Sequence, residues 1–147
     1  SSSGEFSFNI SGNSVSSSLL KIKKKHVNAA PNSDTVNVIN VKTSSLDDIY
    51  LDFLKSNPGY SNLYIKIDVQ GAEWDVLKGS KLILSKARAI QLELSLAPLY
   101  EDQKLWEEIN SFMLDQGYYL WSLRHGFCDS DSGQTLQFDG VYVKKSF

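Results

Sequence analysis

The sequence has one cysteine, no long apolar run and almost no net charge. Cys128 alone cannot form an intrachain disulfide, and this usage is typical of a reducing compartment. No stretch approaches the roughly 20 apolar residues of a transmembrane helix, and Ser1 to Gly4 lack the features of a signal peptide. A formal net charge of −2 provides no basic surface for nucleic acid. We therefore expect a cytoplasmic protein that binds neither membrane nor nucleic acid.

Recognisable catalytic and nucleotide-binding motifs are also missing. The nine glycines are scattered and never form a G-x-G pattern, which argues against a dinucleotide fingerprint. No nucleophile triad, metal cluster or phosphate loop is visible. Cys128 lies in a polar stretch with only His125 nearby as a base, so we do not expect it to be catalytic. The basic run from Lys21 to His26 is interpreted as a solvated face, with a phosphate or acidic-glycan patch as the alternative.

What is present indicates one α/β domain. With 147 residues, of which 41% are hydrophobic, the chain can bury a core. Strands and helices alternate, which predicts a sheet with a parallel centre and an antiparallel last strand. Ser45 begins a helix that Pro58 and Gly59 end, and Gly117 ends another. The apolar patterns predict strands at 6–10, 36–41, 63–69, 89–96, 118–123 and 136–143, and further helices at 73–85 and 105–116.

The segment from Ile65 to Glu73 is the most informative part of the chain. An apolar strand ends at Asp68, and a helix follows Gly71, so Asp68 is expected at the carboxyl edge of the sheet, where such folds bind ligands. Asp68 is a candidate general base or ligand contact, or else a cap for the next helix. Glu73 is a second candidate, or simply a charge that suits the first helical turn.

Polar residues along the next strands extend this candidate site. Gln91, Glu93 and Ser95 share one face of a strand, and they border either a cleft or bulk water. Asp139 belongs either to a hairpin turn with Gly140 or to a strand that carries a buried acid. A loop beyond the strand carries Tyr100 and Glu101, in a position where substrate contacts commonly arise.

Five segments in register resemble successive motifs of FkbM-type methyltransferases. Each segment is weakly specific, but their order and spacing match over nearly the whole chain. The resemblance is carried by Ser16 to Leu20, Leu46 to Asp48, Ile65 to Glu73, Gln91 to Ser95 with Pro98 to Glu101, and Leu136 to Asp139.

The resemblance implies a Rossmann-like class I fold that uses S-adenosylmethionine and methylates hydroxyl groups of sugars, glycans or polyketide-like acceptors. By this similarity the site residues fall into three groups. Asp68, Glu73 and Glu93 are the candidate catalytic residues, with Asp68 the first candidate for the base or substrate-positioning residue and Glu93 or Glu73 the second. Asp68, Val69, Gln70 and Gly71 would contact the cofactor, and Ser95, Tyr100, Glu101 and Asp139 would contact the substrate. Gln70 departs from the family, which often has Glu at this position.

A larger departure concerns the cofactor. The resemblance implies a glycine-rich loop after the first strand and a ribose-binding acid after the second, and the chain contains neither. We therefore expect a single partial domain over residues 1–147, the C-terminal half to two-thirds of such a domain, with little activity alone. The strand ending at Asp68 would then have a free edge that invites homodimerisation. The alternative is a non-catalytic remnant or interaction module that keeps the fold.

Overall fold

The computed structural model describes residues 4–145, which fold into a mixed α/β structure. The bounds, in chain order, are β1 Gly4–Ser11, α1 Lys24–Ala29, β2 Thr35–Thr43, α2 Leu46–Ser56, β3 Leu63–Ile67, α3 Glu73–Lys78, α4 Lys81–Lys86, β4 Ala87–Ser95, α5 Trp106–Asp115, β5 Tyr118–His125 and β6 Gln137–Lys144. No helix within this range is long and apolar enough to cross a membrane.

The strands form two separate sheets. The main sheet has the order β3-β4-β6-β5; β3 and β4 are parallel, whereas β6 is antiparallel to both of its neighbours. This confirms the predicted mixed sheet with an antiparallel last strand. The strands β1 and β2 pair with each other instead, as an antiparallel two-stranded sheet outside the main sheet.

The core lies between the main sheet and its helices. Ile90, Leu92 and Leu94 of β4 are fully buried, as the central position of this strand requires. From α5, Ile109 and Met113 pack into the same cluster. Because these side chains leave water almost completely, their burial supplies most of the energy that holds the sheet and helices together.

The predicted single helix at 73–85 is wrong, because the structure divides it into α3 and α4 at Gly79 and Ser80. The backbone N–H groups of Leu82 and Ile83, in the first turn of α4, donate to the Asp47 carboxylate, each at 2.9 Å. Asp47 belongs to α2, so a residue from another helix satisfies the free amides at the start of α4. A break here is possible because Asp47 satisfies these amides from outside the helix.

The short helix α1 was not predicted, and it lies in the basic run. Its lysines and their neighbours Lys21 and Lys23 are exposed, as expected of a solvated face. His26 differs, since it is only 3% exposed and its ring lies edge-on to Tyr100. Its Nε2 lies 3.1 Å from the Ser16 hydroxyl, and burial lowers its pKa. The phosphate-binding alternative for the lysines stays a prediction.

The outer edge of β3 borders a large open cavity. Within residues 4–145, β3 pairs with β4 alone, so its other edge has no strand partner. The cavity has a volume of about 1140 Å³ and is lined by residues of β1 and β3 and by the start of α2. Phe6 and Phe8 line it from β1, and Ile65 and Ile67 line it from β3. This part of the molecule is therefore both apolar and accessible.

We expect Asp47→Ala to destabilise the protein by about 1–2 kcal/mol, because two helix N–H groups lose their acceptor. The midpoint of thermal unfolding should fall by a few degrees. Asp52→Ala is the matched control, since Asp52 lies on the same helix in an exposed pair with Lys55 and should cost under about 0.5 kcal/mol. Equal effects of the two substitutions would contradict the capping role.

Candidate functional site

The turn after β3 is closed by the carboxylate of Glu73. Its Oε1 accepts hydrogen bonds from the backbone N–H groups of Val69 and Gly71, each at 3.2 Å. The side chain is 2% exposed, and burial raises its pKa. Glu73 thus does more than complement the dipole of α3, because it binds the backbone of the turn itself. Its predicted catalytic role stays a prediction, with the carboxylate turned away from solvent.

Asp68 lies at the end of β3 and does not cap the following helix. The turn amide of Gly71 binds Glu73 instead, so the helix-cap alternative for Asp68 is wrong. Its Oδ2 accepts from Lys66 Nζ at 2.9 Å and its Oδ1 from Gln70 Nε2 at 3.0 Å. The Asp68 side chain is 36% exposed and lines the cavity. An accessible carboxylate at a strand end can accept a hydrogen bond from a bound molecule.

Glu93 is the most strongly perturbed carboxylate of the site. It lies on β4, and its Oε2 accepts from Gln70 Nε2 and from Gln137 Nε2, both at 2.9 Å. Burial raises its pKa to about 7, and the negative charges of Asp68, Glu73 and Asp139 contribute to the rise. We call these four residues the acid cluster. A carboxyl group with this pKa exchanges a proton near neutral pH.

The polar face of β4 is not bathed in water. Gln91 is 8% exposed and accepts a hydrogen bond from the Tyr64 hydroxyl at 2.6 Å. Ser95 is 1% exposed, and its hydroxyl accepts from Gln103 Nε2 at 2.7 Å. With Glu93 between them, all three polar side chains have protein partners. The alternative in which this face meets bulk solvent is wrong, and the polar line belongs to the interior of the site.

Asp139 is part of β6 and not of a hairpin turn. It pairs with Glu93 of β4 on one side and with Arg124 of β5 on the other. The turn alternative is therefore wrong. Gly140 follows in the same strand, and a Cβ atom at this position would lie 2.7 Å from Leu94 Cδ1, so any larger residue would require the Leu94 side chain to move. The sheet pairing thus brings Asp139 beside the other acids.

The two loop residues differ in exposure. Tyr100 is fully buried, and its hydroxyl contacts the Ser16 carbonyl at 3.1 Å and Gln70 Oε1 at 3.0 Å. Glu101 is exposed, and its backbone N–H donates to the Lys21 carbonyl. Their predicted substrate contacts stay predictions. Tyr100 contacts Gln70 through its hydroxyl and lies against Gly71 with its ring, and it thereby supports the turn.

Sequence reasoning missed three glutamine-centred contacts of the site. Gln137 was inside a matched motif but was given no role, although it donates to Glu93. Gln103 was not singled out; its Oε1 accepts from the backbone of Leu99 and Tyr100 and so shapes that loop. Gln70 donates to two acids at once. A glutamine two residues after the predicted strand-end acid Asp68 is a signal that could have found the Gln70 contacts, whereas Gln103 and Gln137 carry no such local signal.

The position between Asp68 and Glu93 is taken by an amide. Gln70 Nε2 lies 3.0 Å from an oxygen of Asp68 and 2.9 Å from an oxygen of Glu93, so a hydrogen-bond donor separates the two carboxylates. Among residues 4–145, no group of three His, Cys, Asp or Glu side chains is arranged to hold a metal ion. Cys128 is separately paired with His125, whose Nε2 lies 3.1 Å from its sulfur.

The family of the chain follows from its match to a known domain. The family model for the methyltransferase FkbM domain matches residues 1–120 of the chain. The chain belongs to the FkbM methyltransferase family. This match covers the turn after β3, the polar face of β4 and the loop that carries Tyr100, while Asp139 lies beyond it. No curated protein and no solved structure matches the chain.

We expect Gly71→Ala to destabilise this FkbM domain by more than 2 kcal/mol. Gly71 has a φ of +96°, and a Cβ atom there would lie 2.8 Å from Tyr100 Cδ2. The matched control is Gly59→Ala, with a φ of +91° and open space around the new Cβ, which should cost only about 1 kcal/mol. Chemical denaturation measures both. Equal losses would show that the contact with Tyr100 is irrelevant.

We expect the stability of the FkbM domain to fall as pH rises through the titration of Glu93. Its folded pKa is about 7 against an ordinary 4.5. Between these values the folded state binds more protons than the unfolded state, so raising the pH favours unfolding. Glu93→Gln removes this effect. The melting temperature of Glu93→Gln minus that of the wild type should therefore increase by about 5 °C from pH 5 to pH 8. Glu101→Gln serves as the exposed control, and an advantage of Glu93→Gln that does not change with pH would contradict the assignment.

Proposed function

We propose that the chain is part of an S-adenosylmethionine-dependent methyltransferase that methylates a hydroxyl group on a sugar, a glycan or a polyketide-like acceptor. Membership of the FkbM methyltransferase family supports the reaction class. The observation that carries the proposal is the acid cluster at the ends of β3 and β4, in which the half-buried Glu93 accepts from two glutamine amides and has its pKa raised to about 7 by burial and by the neighbouring charges. A base with this pKa suits proton removal from a hydroxyl group near neutral pH.

Glu93 and Asp68 have complementary parts in this proposal. Glu93 is the general base, because its raised pKa makes the carboxylate a better proton acceptor than an ordinary glutamate. Asp68 is more accessible and positions the acceptor by accepting a hydrogen bond from it. Glu73 contributes indirectly, since its carboxylate already binds the turn backbone. Of the three candidate catalytic residues, we assign proton transfer to Glu93.

The residues that line the cavity fit one end of the cofactor. Asp68, Val69 and Gln70 line a cavity of about 1140 Å³, large enough for a nucleoside-sized ligand, and Gly71 allows the backbone to turn beside it. Among these residues, Asp68 has an accessible carboxylate, which can interact with a positively charged group. When bound, S-adenosylmethionine supplies a methyl group on a positively charged sulfur. Asp68, Val69, Gln70 and Gly71 would hold that end, and the absence of a G-x-G turn supports a main cofactor loop outside these 147 residues.

The proposed acceptor contacts divide into direct and supporting residues. Asp139 is half-buried beside Glu93, and Glu101 is exposed on the loop after β4, so neither side chain is sealed in the core. Ser95 and Tyr100 are almost fully buried and engaged by Gln103 and Gln70. We therefore assign direct contact to Asp139 and Glu101, and shaping of the site to Ser95 and Tyr100.

A second candidate function is a non-catalytic module that keeps the methyltransferase fold. The lack of a G-x-G turn favours it, and so does the unpaired edge of β3 within residues 4–145. Unpaired strand edges bind other strands, and a homodimer through this edge remains our prediction. A cytoplasmic location likewise stays a prediction. Methyl transfer is what separates the two functions.

We expect Glu93→Gln to lower kcat/KM for methyl transfer by at least about 100-fold, because the general base is lost. The assay uses a protein that carries this domain together with a cofactor loop. It follows the transfer of a labelled methyl group to sugar and polyketide-like acceptors. In the wild type, kcat/KM should rise with pH through about 7, since Glu93 must be deprotonated to accept a proton.

Two further variants complete this test. Asp68→Asn should mainly raise KM, because it weakens acceptor binding without removing the base. Glu107→Gln is the control, since Glu107 is exposed on α5, and its activity should match the wild type. Near-normal turnover by Glu93→Gln would refute the proposed base. A complete absence of methyl transfer in the wild type would favour the non-catalytic module.

A further inference from the structure

We propose that Gln70 is a positioning residue for Glu93, and that the hydroxyl of Tyr100 fixes the orientation of the Gln70 side-chain amide. Nothing in the family match assigns a role to this pair. The part it plays in methyl transfer rests on the proposed function, whereas the positioning itself is a property of the folded protein.

Gln70 is held in a conformation that it would not adopt freely. Its φ is +52°, in the left-handed region, which is unfavourable for a non-glycine residue. Its backbone carbonyl accepts a hydrogen bond from the Ser18 hydroxyl at 2.7 Å. At the side chain, Nε2 donates to Asp68 and to Glu93. Contacts on both the backbone and the side chain thus offset the cost of this conformation.

Chemistry allows only one orientation of the Gln70 amide. When Asp68 and Glu93 are both ionised, their carboxylates accept hydrogen bonds but do not donate them, so the NH₂ group must face them. The amide oxygen must then face a donor, and the Tyr100 hydroxyl lies 3.0 Å from it. Without that donor, the amide oxygen would lose its partner in a half-buried site. Rotation of the amide would turn its oxygen toward two negative charges.

The Tyr100 ring is well placed to act as a fixed support. It is fully buried, with His26 edge-on at 5.3 Å between ring centroids, and Gly71 lies against its other side. The hydroxyl lies between two acceptors, Gln70 Oε1 and the Ser16 carbonyl at 3.1 Å. This packing holds the hydroxyl oxygen within hydrogen-bond distance of the amide, and its single proton is shared between the two acceptors.

The consequence concerns the charged form of Glu93. Two amide donors, from Gln70 and Gln137, stabilise its carboxylate against burial and against the other acids of the cluster. If the Gln70 amide is no longer oriented, one donor is lost for part of the time. Glu93 should then hold its proton to a higher pH.

The test is Tyr100→Phe, which removes one oxygen atom and keeps the ring. Carbon-13 NMR of labelled glutamate side chains follows the titration of Glu93, assigned by its loss in Glu93→Gln. We expect the titration midpoint of Glu93 to rise by about half a unit or more. Tyr118→Phe is the matched control, because Tyr118 is equally buried and its hydroxyl donates to the Leu84 and Ala87 carbonyls, both at 2.8 Å.

Both tyrosine variants lose a buried hydroxyl, so both should lower the melting temperature, but only Tyr100→Phe should move the Glu93 titration. A second variant, Gln70→Met, removes the amide at similar volume and should raise the midpoint at least as far, and it carries the test if Tyr100→Phe does not fold. An unchanged Glu93 midpoint in the folded variants, or an equal shift in Tyr118→Phe, would overturn the proposal. Because this readout needs no activity, a protein without methyl transfer could still show the shift, which separates this inference from the proposed function.

Discussion

The turn that follows β3 depends on hydrogen bonds from its backbone to a buried carboxylate. Two backbone amides of the turn and the Glu73 carboxylate satisfy one another, at 3.2 Å each, where water does not reach. A buried amide without an acceptor and a buried carboxylate without donors would each cost free energy, so the two groups stabilise the turn together. The rest of the site follows, because this turn sets the direction of Gln70.

Bringing the acid cluster together at the ends of the strands costs electrostatic free energy. Parallel pairing places Asp68 and Glu93 at the same edge of the sheet, and antiparallel pairing sets Asp139 opposite Glu93. Burial, and then the repulsion from the neighbouring acids, raises the Glu93 pKa to about 7. Donors from Gln70, Gln137 and Lys66 offset part of the repulsion. A site that concentrates like charges in this way is suited to proton transfer at neutral pH.

The cavity beside β3 adjoins the acid cluster. Asp68 and Gln70 border both the cluster and the cavity, so they connect a polar edge with an apolar space. Apolar side chains from β1 and β3 line this space. An apolar pocket with a few oriented polar groups at one end is the usual form of a small-molecule site.

Local signals in the sequence predicted most elements of this fold, because their causes are local. Ser45 caps α2 through its own neighbour Asp48, and Gly117 ends α5 with a φ of +80°. The break at Gly79 and Ser80 was missed because the residue that caps α4, Asp47, lies on another helix. The helix α1 was missed because its six residues carry too little apolar periodicity.

The amino-acid sequence by itself determined the mixed α/β class, the strand-end position of Asp68 and the likeness to FkbM methyltransferases, because strand patterning and motif spacing are local properties of the chain. Only the tertiary structure decided how the contacts, exposure and pKa of the three acids differ. Glu73 closes the turn, Asp68 stays accessible, and Glu93 titrates near neutral pH. These differences depend on burial and on donors brought from Gln70 and Gln137, and the position of Gln137 relative to Glu93 exists only once β4 and β6 have paired.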